Sequence, residues 1–368
     1  MPLTRRKTLA LIGGGVVLAA AAAGGAFVST RNPVRALAPW QMAGHYDDVR
    51  LRALSWALLA PNPHNRQPWL AELRGDDTVL IHRDKARNLP ATDPFDRQLT
   101  IGMGCFLELM VMAAAEEGLA VALTLFPEGE DGPVAHARFA PGATADPLFV
   151  HALQRRSCKE PYEDRPVPDA AAAALAAHAR ILRDAEMVAR LRDLTWAALD
   201  VEFHTPATIQ ESVDLMRFGR AEIETNPDGI DLGGPVLETL MLAGVINRAA
   251  QADPSSAGFQ AGVDIYNKML AATPAYAVIA TAGNAREDQI EAGRQWLRLN
   301  LAATQLGLAV QPVSQALQEF PEMAEHYATA HALLARDGET VQMLGRLGYG
   351  PATGPSPRWP LETRLIDA

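Results

Sequence analysis

The chain reads as an α+β protein made of two related lobes in one polypeptide, and three observations predict this. First, Gly104, Ala113, Ala114 and Gly118-Leu-Ala-Val121 recur as Gly293, Ala302, Ala303 and Gly307-Leu-Ala-Val310, every position displaced by 189 residues. Both copies read as an apolar helix that stops at glycine and enters a strand. Second, Trp69–Leu73 and Thr78–His82 flank the turn Arg74-Gly-Asp-Asp77 and read as a hairpin. Third, 368 residues at 48% hydrophobic content are enough for two modest cores.

The elements follow in order. Residues 47–59 read as an amphipathic helix, and 97–117 as the first repeat helix. Ala120–Phe126 and Ala135–Phe139 read as strands, and Ala145–Gln154 as a helix running into Arg155. From 168 to 272 the pattern is mainly helical, broken at Asn226-Pro-Asp-Gly229 and Asp231-Leu-Gly-Gly234, which leaves room for a lid over 226–260. Ala275–Ala280 reads as a buried strand, Glu287–Leu306 as the second repeat helix and Val341–Tyr349 as a further strand. A Pro/Gly-rich tail from 351 is expected to wrap outward.

The segment Ala60-Pro-Asn-Pro-His-Asn-Arg-Gln-Pro-Trp69 sets three carboxamides, a histidine and an arginine among three prolines. Proline fixes φ and biases its predecessor toward extended backbone, so Asn62, His64, Asn65 and Gln67 are expected to be held in place. Amides supply donors and acceptors together, which suits the edge of a planar heterocycle. On residue chemistry alone, a Pro-rich turn from helix into strand explains the segment better.

The segment also resembles the P-S-S-x-N-x-Q-P-W signature of the nitroreductase family of FMN proteins, with Asn62 and Pro63 in place of the serines. Arg155-Arg-Ser-Cys-Lys159 resembles that family's R-R-S-x-K/R motif, and Leu347-Gly-Tyr-Gly-Pro351 with Pro357-Arg358 resembles its G-Y-P…R ending. In the family the Arg-Arg-Ser motif comes first; here the order is inverted and each half keeps one motif. Family members are usually homodimers with flavin in the interface. The resemblance therefore implies a monomeric pseudo-dimer: two fused lobes, each a mainly antiparallel sheet flanked by helices.

It further implies that Asn62, Pro63, His64, Asn65 and Gln67 meet FMN. Arg155, Arg156, Ser157, Lys159 and Arg358 would hold its phosphate, which needs several charge-assisted donors. Lys159 or Arg97 would face the N1–C2=O edge, and Gln311, Pro312, Val313 and Ser314 would lie over the ring. No residue stands out as a proton donor, so no catalytic residue is assigned. Within the family the chain looks closest to the Acg-type branch. Two functions are compatible. One is an oxidoreductase drawing on NAD(P)H or a quinol and reducing nitroaromatic or quinone-like acceptors; the other is a flavin-sequestering protein with little turnover. A degenerate fold without flavin is a third reading.

Thr4-Arg5-Arg6-Lys7-Thr8-Leu9, followed by the uncharged stretch from Leu9 to Val28, resembles a twin-arginine export leader. Residues 1–40 are assigned to this signal or anchor, 41–150 to the N-terminal lobe and 151–368 to the C-terminal lobe. The twin-arginine translocase would then be a partner, and the location periplasmic or on the outer face of the inner membrane. Ala36-Leu37-Ala38 has a small-x-small pattern, but Pro39 follows, so cleavage is left open. Beyond residue 38 the chain has 28 basic against 43 acidic residues, which argues against nucleic acid. Cys105 and Cys158 have no C-x-x-C partner. His326 and His331, five apart on an expected helix, are expected at the surface and do not make a metal site.

Overall fold

The structure, a computed structural model, describes residues 31–367, so the twin-arginine motif and the apolar stretch after it lie outside the described residues. One four-stranded sheet holds β1 (Trp69–Arg74), β2 (Thr78–Arg83), β3 (Leu119–Leu125) and β4 (Ala135–Pro141), in the order β1-β2-β4-β3. Two short strands, β5 (Arg180–Leu182) in the second sheet and β6 (Met216–Phe218) in a small parallel pair, follow in sequence. The pair is completed by β7 (Ile230–Leu232), and the second sheet by β8 (Ala275–Thr281), β9 (Ala309–Pro312) and β10 (Thr340–Gly348). The second sheet has the order β5-β8-β10-β9, and both four-stranded sheets are antiparallel throughout.

The two orders match term by term. In the first lobe, helix α1 (Val49–Ala57) leads into β1, and helix α2 (Arg97–Glu116) joins β2 to β3. In the second, helix α3 (Asp169–Leu175) leads into β5, helix α4 (Ala185–His204) begins the insert after it, and helix α5 (Ala257–Ala271) ends that insert before β8. Helix α6 (Arg286–Gln305) then joins β8 to β9 as α2 joins β2 to β3.

The repeat helices α2 and α6 cross at the repeated glycines. A Cβ on Gly104 would stand 2.1 Å from the Ile290 carbonyl oxygen, and one on Gly293 would stand 2.0 Å from that of Ile101. Ile101 and Ile290 are themselves 189 residues apart, so the contact is reciprocal, as in isologous packing. Glycine is required here because backbone meets backbone. Close by, the fully buried Glu108 accepts from Arg294 Nε at 2.6 Å and Arg298 Nε at 2.5 Å, tying the helices with charge.

One core joins α1, α2 and α6 to the inner faces of both sheets. A second core, on the other face of the second sheet, is built by α4 with helix α7 (Ala324–Leu334). Hence β8 and β10 are buried on both faces: β8 reads as a continuous apolar run, β10 from Val341 on is apolar except for the buried Gln342 and Arg346, and β3 alternates. Helix α2 is apolar and long enough to cross a membrane, but it is the central core helix.

Several expectations need correction. Residues 145–154 hold only one 3-10 turn, Phe149–His151, preceded by an Asp146 side chain that accepts from Leu148 N. The tail from 351 does not wrap outward: Ala71 N donates to Arg364 O and Ile366 N to Ala71 O, which extends the β1 edge of the first lobe. Nor does the folded part begin at 41. Ala36 and Trp40 are buried, Arg358 N donates to Ala36 O at 2.8 Å, and Glu224 accepts from the amides of Val34, Arg35 and Ala36. His331 is half-buried and its Nε2 accepts from Val341 N at 3.1 Å, so it belongs to the packing of α7.

Candidate functional site

Helix α1 ends by exposing the carbonyls of Leu58, Leu59 and Ala60, which have no partner within the helix. Two arginines take them. Arg358 Nε donates to Leu58 O at 2.7 Å, and its Nη2 to Leu59 O at 3.2 Å and Ala60 O at 3.1 Å. Arg155 Nη2 donates to the same Leu59 O at 3.1 Å. Arg358 Nη1 continues to Asn65 Oδ1 at 2.7 Å, while Asn65 Nδ2 returns to Pro357 O at 3.0 Å. Thus the Asn65 loop, the Arg-Arg-Ser segment and the C-terminal arginine meet at one place, although they are far apart in sequence.

The loop itself is strained. His64, Asn65 and Gln67 have φ of 46°, 52° and 51°, left-handed values that are costly for residues other than glycine. Asn62 is extended as its proline demands, but Gln67, also followed by proline, is not. Internal bonds hold the shape: Asn62 Oδ1 accepts from Gln67 N at 2.7 Å, and Asn62 with Pro63 rests against helix α2 at Gly102.

The segment 226–229 clamps this loop. Gln67 Nε2 donates to Pro227 O at 2.7 Å, and Gly229 N to Asn65 O at 3.3 Å. Between them the buried Asp228 accepts from Arg66 at 2.9 Å, Arg87 at 2.7 Å and Arg217 at 2.8 Å. Gln67 Oε1 also accepts from Trp359 N at 2.9 Å. The Gln67 amide is therefore spent on protein backbone and positions the loop.

The electrostatics are one-sided. Burial, then the charges of Arg155 and Arg156, pushes Arg358 down to about 9. Burial and Arg156 push Arg155 down to about 10, and burial lowers Arg156. Among the described residues no carboxylate pairs with any of the three. Arg155 Nε and Arg156 Nε are buried without partners, and Trp40 lies under Arg156 and Arg358 at 4.4 and 5.5 Å. His64, half-buried, is held down at about 4 by burial, Lys159 and Arg66, so it is neutral at pH 7.

Ser157 bridges to Val310 of β9 and Cys158 N donates to Val310 O at 3.1 Å, which brings the motif beside Gln311. Gln311 is buried and its Oε1 has no partner. Pro312 is exposed at the end of β9. Lys159 is exposed.

Other expected residues turn elsewhere. Arg97 is buried at the start of α2, where its Nε pairs with Glu319 at 3.1 Å and its other nitrogens donate to Gln342 O and Leu317 O; its charge is neutralised there. Val313 is buried with its N–H on Leu344 O, and Ser314 Oγ donates to Leu344 O at 3.1 Å. Both knit β9 to β10. Trp40, Asp228 and the Leu58–Ala60 carbonyls were missed: Trp40 sits next to the supposed cleavage site, Asp228 in a turn, and carbonyls leave no mark in a sequence.

The strained amide loop and the buried arginine cluster meet on an α+β fold of two antiparallel four-stranded sheets packed through paired helices. No family model matches the chain. The protein named "Putative NAD(P)H nitroreductase Rv3131" from Mycobacterium tuberculosis (strain ATCC 25618 / H37Rv) is 25% identical over 341 residues, covering 87% of this chain and 92% of that protein. "Putative NAD(P)H nitroreductase acg" of the same strain is 38% identical over 86 residues, 23% of this chain and 25% of that one. Among solved structures, the FMN-dependent nitroreductase NfnB from Mycobacterium smegmatis in complex with NADPH shares 16% identity, with 59% of this chain and 96% of that chain covered and a TM-score of 0.37. The structure of a "putative nitroreductase" from Anabaena variabilis ATCC 29413 shares 13%, with 74% of this chain and 69% of that chain covered and a TM-score of 0.40. The chain is thus similar over most of its length to one protein named a nitroreductase and over 86 residues to a second, in line with the resemblance that its motifs carry.

Proposed function

We propose that this chain holds one FMN at the junction of its lobes and acts as a nitroreductase-type oxidoreductase. One observation carries the proposal: three guanidiniums, two of them fully buried, gather beside a strained amide loop with no carboxylate paired to them among the described residues. Such a cluster is costly alone and suits a dianionic phosphate. Arg155, Arg156, Ser157 and Arg358 would hold that phosphate. Asn62, Pro63, His64, Asn65 and Gln311 would meet the ring, with Lys159 as the exposed cation nearest its edge. Gln67, Val313 and Ser314 would act by positioning the backbone.

When bound, FMN supplies hydride and electron transfer, and the protein positions it and tunes its charge. NAD(P)H or a membrane quinol is the donor class, and nitroaromatic or quinone-like compounds the acceptor class. The matched sheet orders and the reciprocal Gly104–Gly293 crossing support one polypeptide doing the work of two subunits. The retained contacts of residues 31–40 support an exported protein that keeps its leader and stays on the membrane.

The clamp of 226–229 on the loop favours a second reading, in which the flavin is sequestered and turns over little. Anaerobic mixing of the yellow protein with NADPH, and separately with a soluble quinol, separates the two. Prompt bleaching by either supports the oxidoreductase; persistence with both supports storage. Arg155→Ala with Arg156→Ala should weaken FMN retention on the order of 100-fold, through loss of charge-assisted contacts. A preparation that stays colourless after incubation with FMN would overturn both.

A further inference from the structure

The Pro235–Leu242 helix and the turn after it present an apolar surface that the cofactor reading does not use. From 235 to 246 the sequence is Pro-Val-Leu-Glu-Thr-Leu-Met-Leu-Ala-Gly-Val-Ile, with one ionisable residue. That residue, Glu238, is turned inward, where it accepts from Arg31 Nη1 and Arg220 N, each at 2.9 Å. What remains outward is uncharged: Val236 is 73% exposed, Leu242 78%, Val245 46% and Leu240 37%. Large side chains grouped in this way mark an interaction surface.

The chain before Arg31 says what covers it. Leu9–Val28 is an uncharged run of 20 residues, the length that crosses a bilayer. Cutting after Ala38 would sever Arg31 from Glu238, the amides of Val34, Arg35 and Ala36 from Glu224, and Ala36 O from Arg358 N. Val28 lies three residues before Arg31, a reach of about 10 Å at full extension. Arg31, and with it the Pro235–Leu242 helix that it grips, therefore stays close to where that run would leave a bilayer. The nearby exposed arginines, Arg35 and Arg248, are already paired with Glu224 and Glu222, so the apolar side chains carry this surface.

We propose that residues 235–246 are a membrane-resting face, laid on the surface of the bilayer that Leu9–Val28 enters. The proposal rests on the retained-leader reading above. It also places the segment that clamps the Asn65–Gln67 loop, residues 226–229, a few residues from the lipid.

The test uses the full-length chain in phosphatidylethanolamine–phosphatidylglycerol vesicles. Both native cysteines are buried, so an environment-sensitive dye can be placed at Leu242→Cys or, for comparison, at Asp131→Cys, whose native side chain is 99% exposed on the β3–β4 turn. The expected result is flotation with the vesicles, a blue-shifted dye at 242 that lipid-borne spin labels quench, and a water-like dye at 131. Flotation with a water-like dye at 242, or equal shifts at both sites, overturns the face while leaving the anchor intact. A protein that does not float and whose mass begins at residue 39 overturns both. A shift at 242 without lipid, together with a doubled mass, makes a second copy the occupant and also overturns the proposal.

Discussion

The arginine cluster should make the flavin-free protein respond to anions in a defined way. Arg358 falls from an ordinary 12.5 to about 9, a difference of 3.5. At about 1.4 kcal/mol per factor of ten, that is roughly 5 kcal/mol held against the charged form. Arginine keeps its proton across the working pH range, so the folded protein carries this penalty on a charge it retains, and a bound dianion relieves it.

Stripped protein at pH 7 and constant ionic strength should therefore melt higher with inorganic phosphate, and higher still with FMN. At 100 times the dissociation constant the gain is about 2.7 kcal/mol, on the order of 5 °C. Arg358→Met, which removes one of the three cations, should cut the gain to less than half. Equal phosphate and FMN gains in the variant, or none in the parent protein, would refute the anion-site reasoning.

Other perturbations reach different parts of the structure. Asp228→Asn leaves Arg66, Arg87 and Arg217 with a weaker partner and should cost about 3–5 kcal/mol, with faster hydrogen exchange in residues 59–67; unchanged exchange there would show that the clamp does not hold the loop. Gly104→Ala drives a Cβ into the Ile290 carbonyl and should cost at least about 2–3 kcal/mol in urea unfolding, whereas Gly262→Ala, with nothing within 4 Å, should be neutral or stabilising. Burial pushes Glu202 up to about 7, so the folded state keeps that proton longer and loses stability as pH rises from 4.5 through 7. Glu202→Gln, still facing Gln318 Nε2, should flatten that slope and add roughly 3 kcal/mol at pH 8; an unaltered slope would place the acid in a wetter setting than its burial indicates.

The sequence was most legible where period and punctuation agree. The repeat helices, both ended by glycine, and the β1–β2 hairpin lie within a residue or two of where they were read. The motif residues Asn65, Arg155 and Arg358 do converge. The failures share a cause: they concern partners that local pattern does not encode. Arg97 looked like a free cation at a helix start, yet Glu319, more than 200 residues away, takes it. Ser314 looked like a ring-facing hydroxyl, but its backbone neighbour in β10 claims it. Trp40 was set aside with the leader because an apolar run and a small-x-small triplet precede it, while its value lies in two guanidiniums, Arg156 and Arg358, that come from later in the chain. The three-residue strands β5, β6 and β7 are too short for an alternating pattern to register.

The inverted motif order becomes intelligible once the lobes are aligned by topology. The amide loop follows α1 and enters β1, while the Arg-Arg-Ser segment precedes α3, the helix that enters β5. Each motif thus occupies a normal place in its own lobe, and each lobe lacks the other's. Between α3 and β5 only four residues, 176–179, stand where the first lobe has its eleven-residue run 58–68. In front of α1 the chain reads His45-Tyr-Asp-Asp48, without an arginine to match Arg155. A second pocket related to the first by the Gly104–Gly293 crossing would have neither its amide loop nor its cations. The hairpin position is also given up there, because the turn between β1 and β2 is replaced in the second lobe by the insert from α4 to α5, which supplies the Asp228 clamp to the surviving site. Flavin released from protein of known concentration should therefore approach one per chain. A value near two would mean that the second lobe binds through groups other than those the first lobe uses.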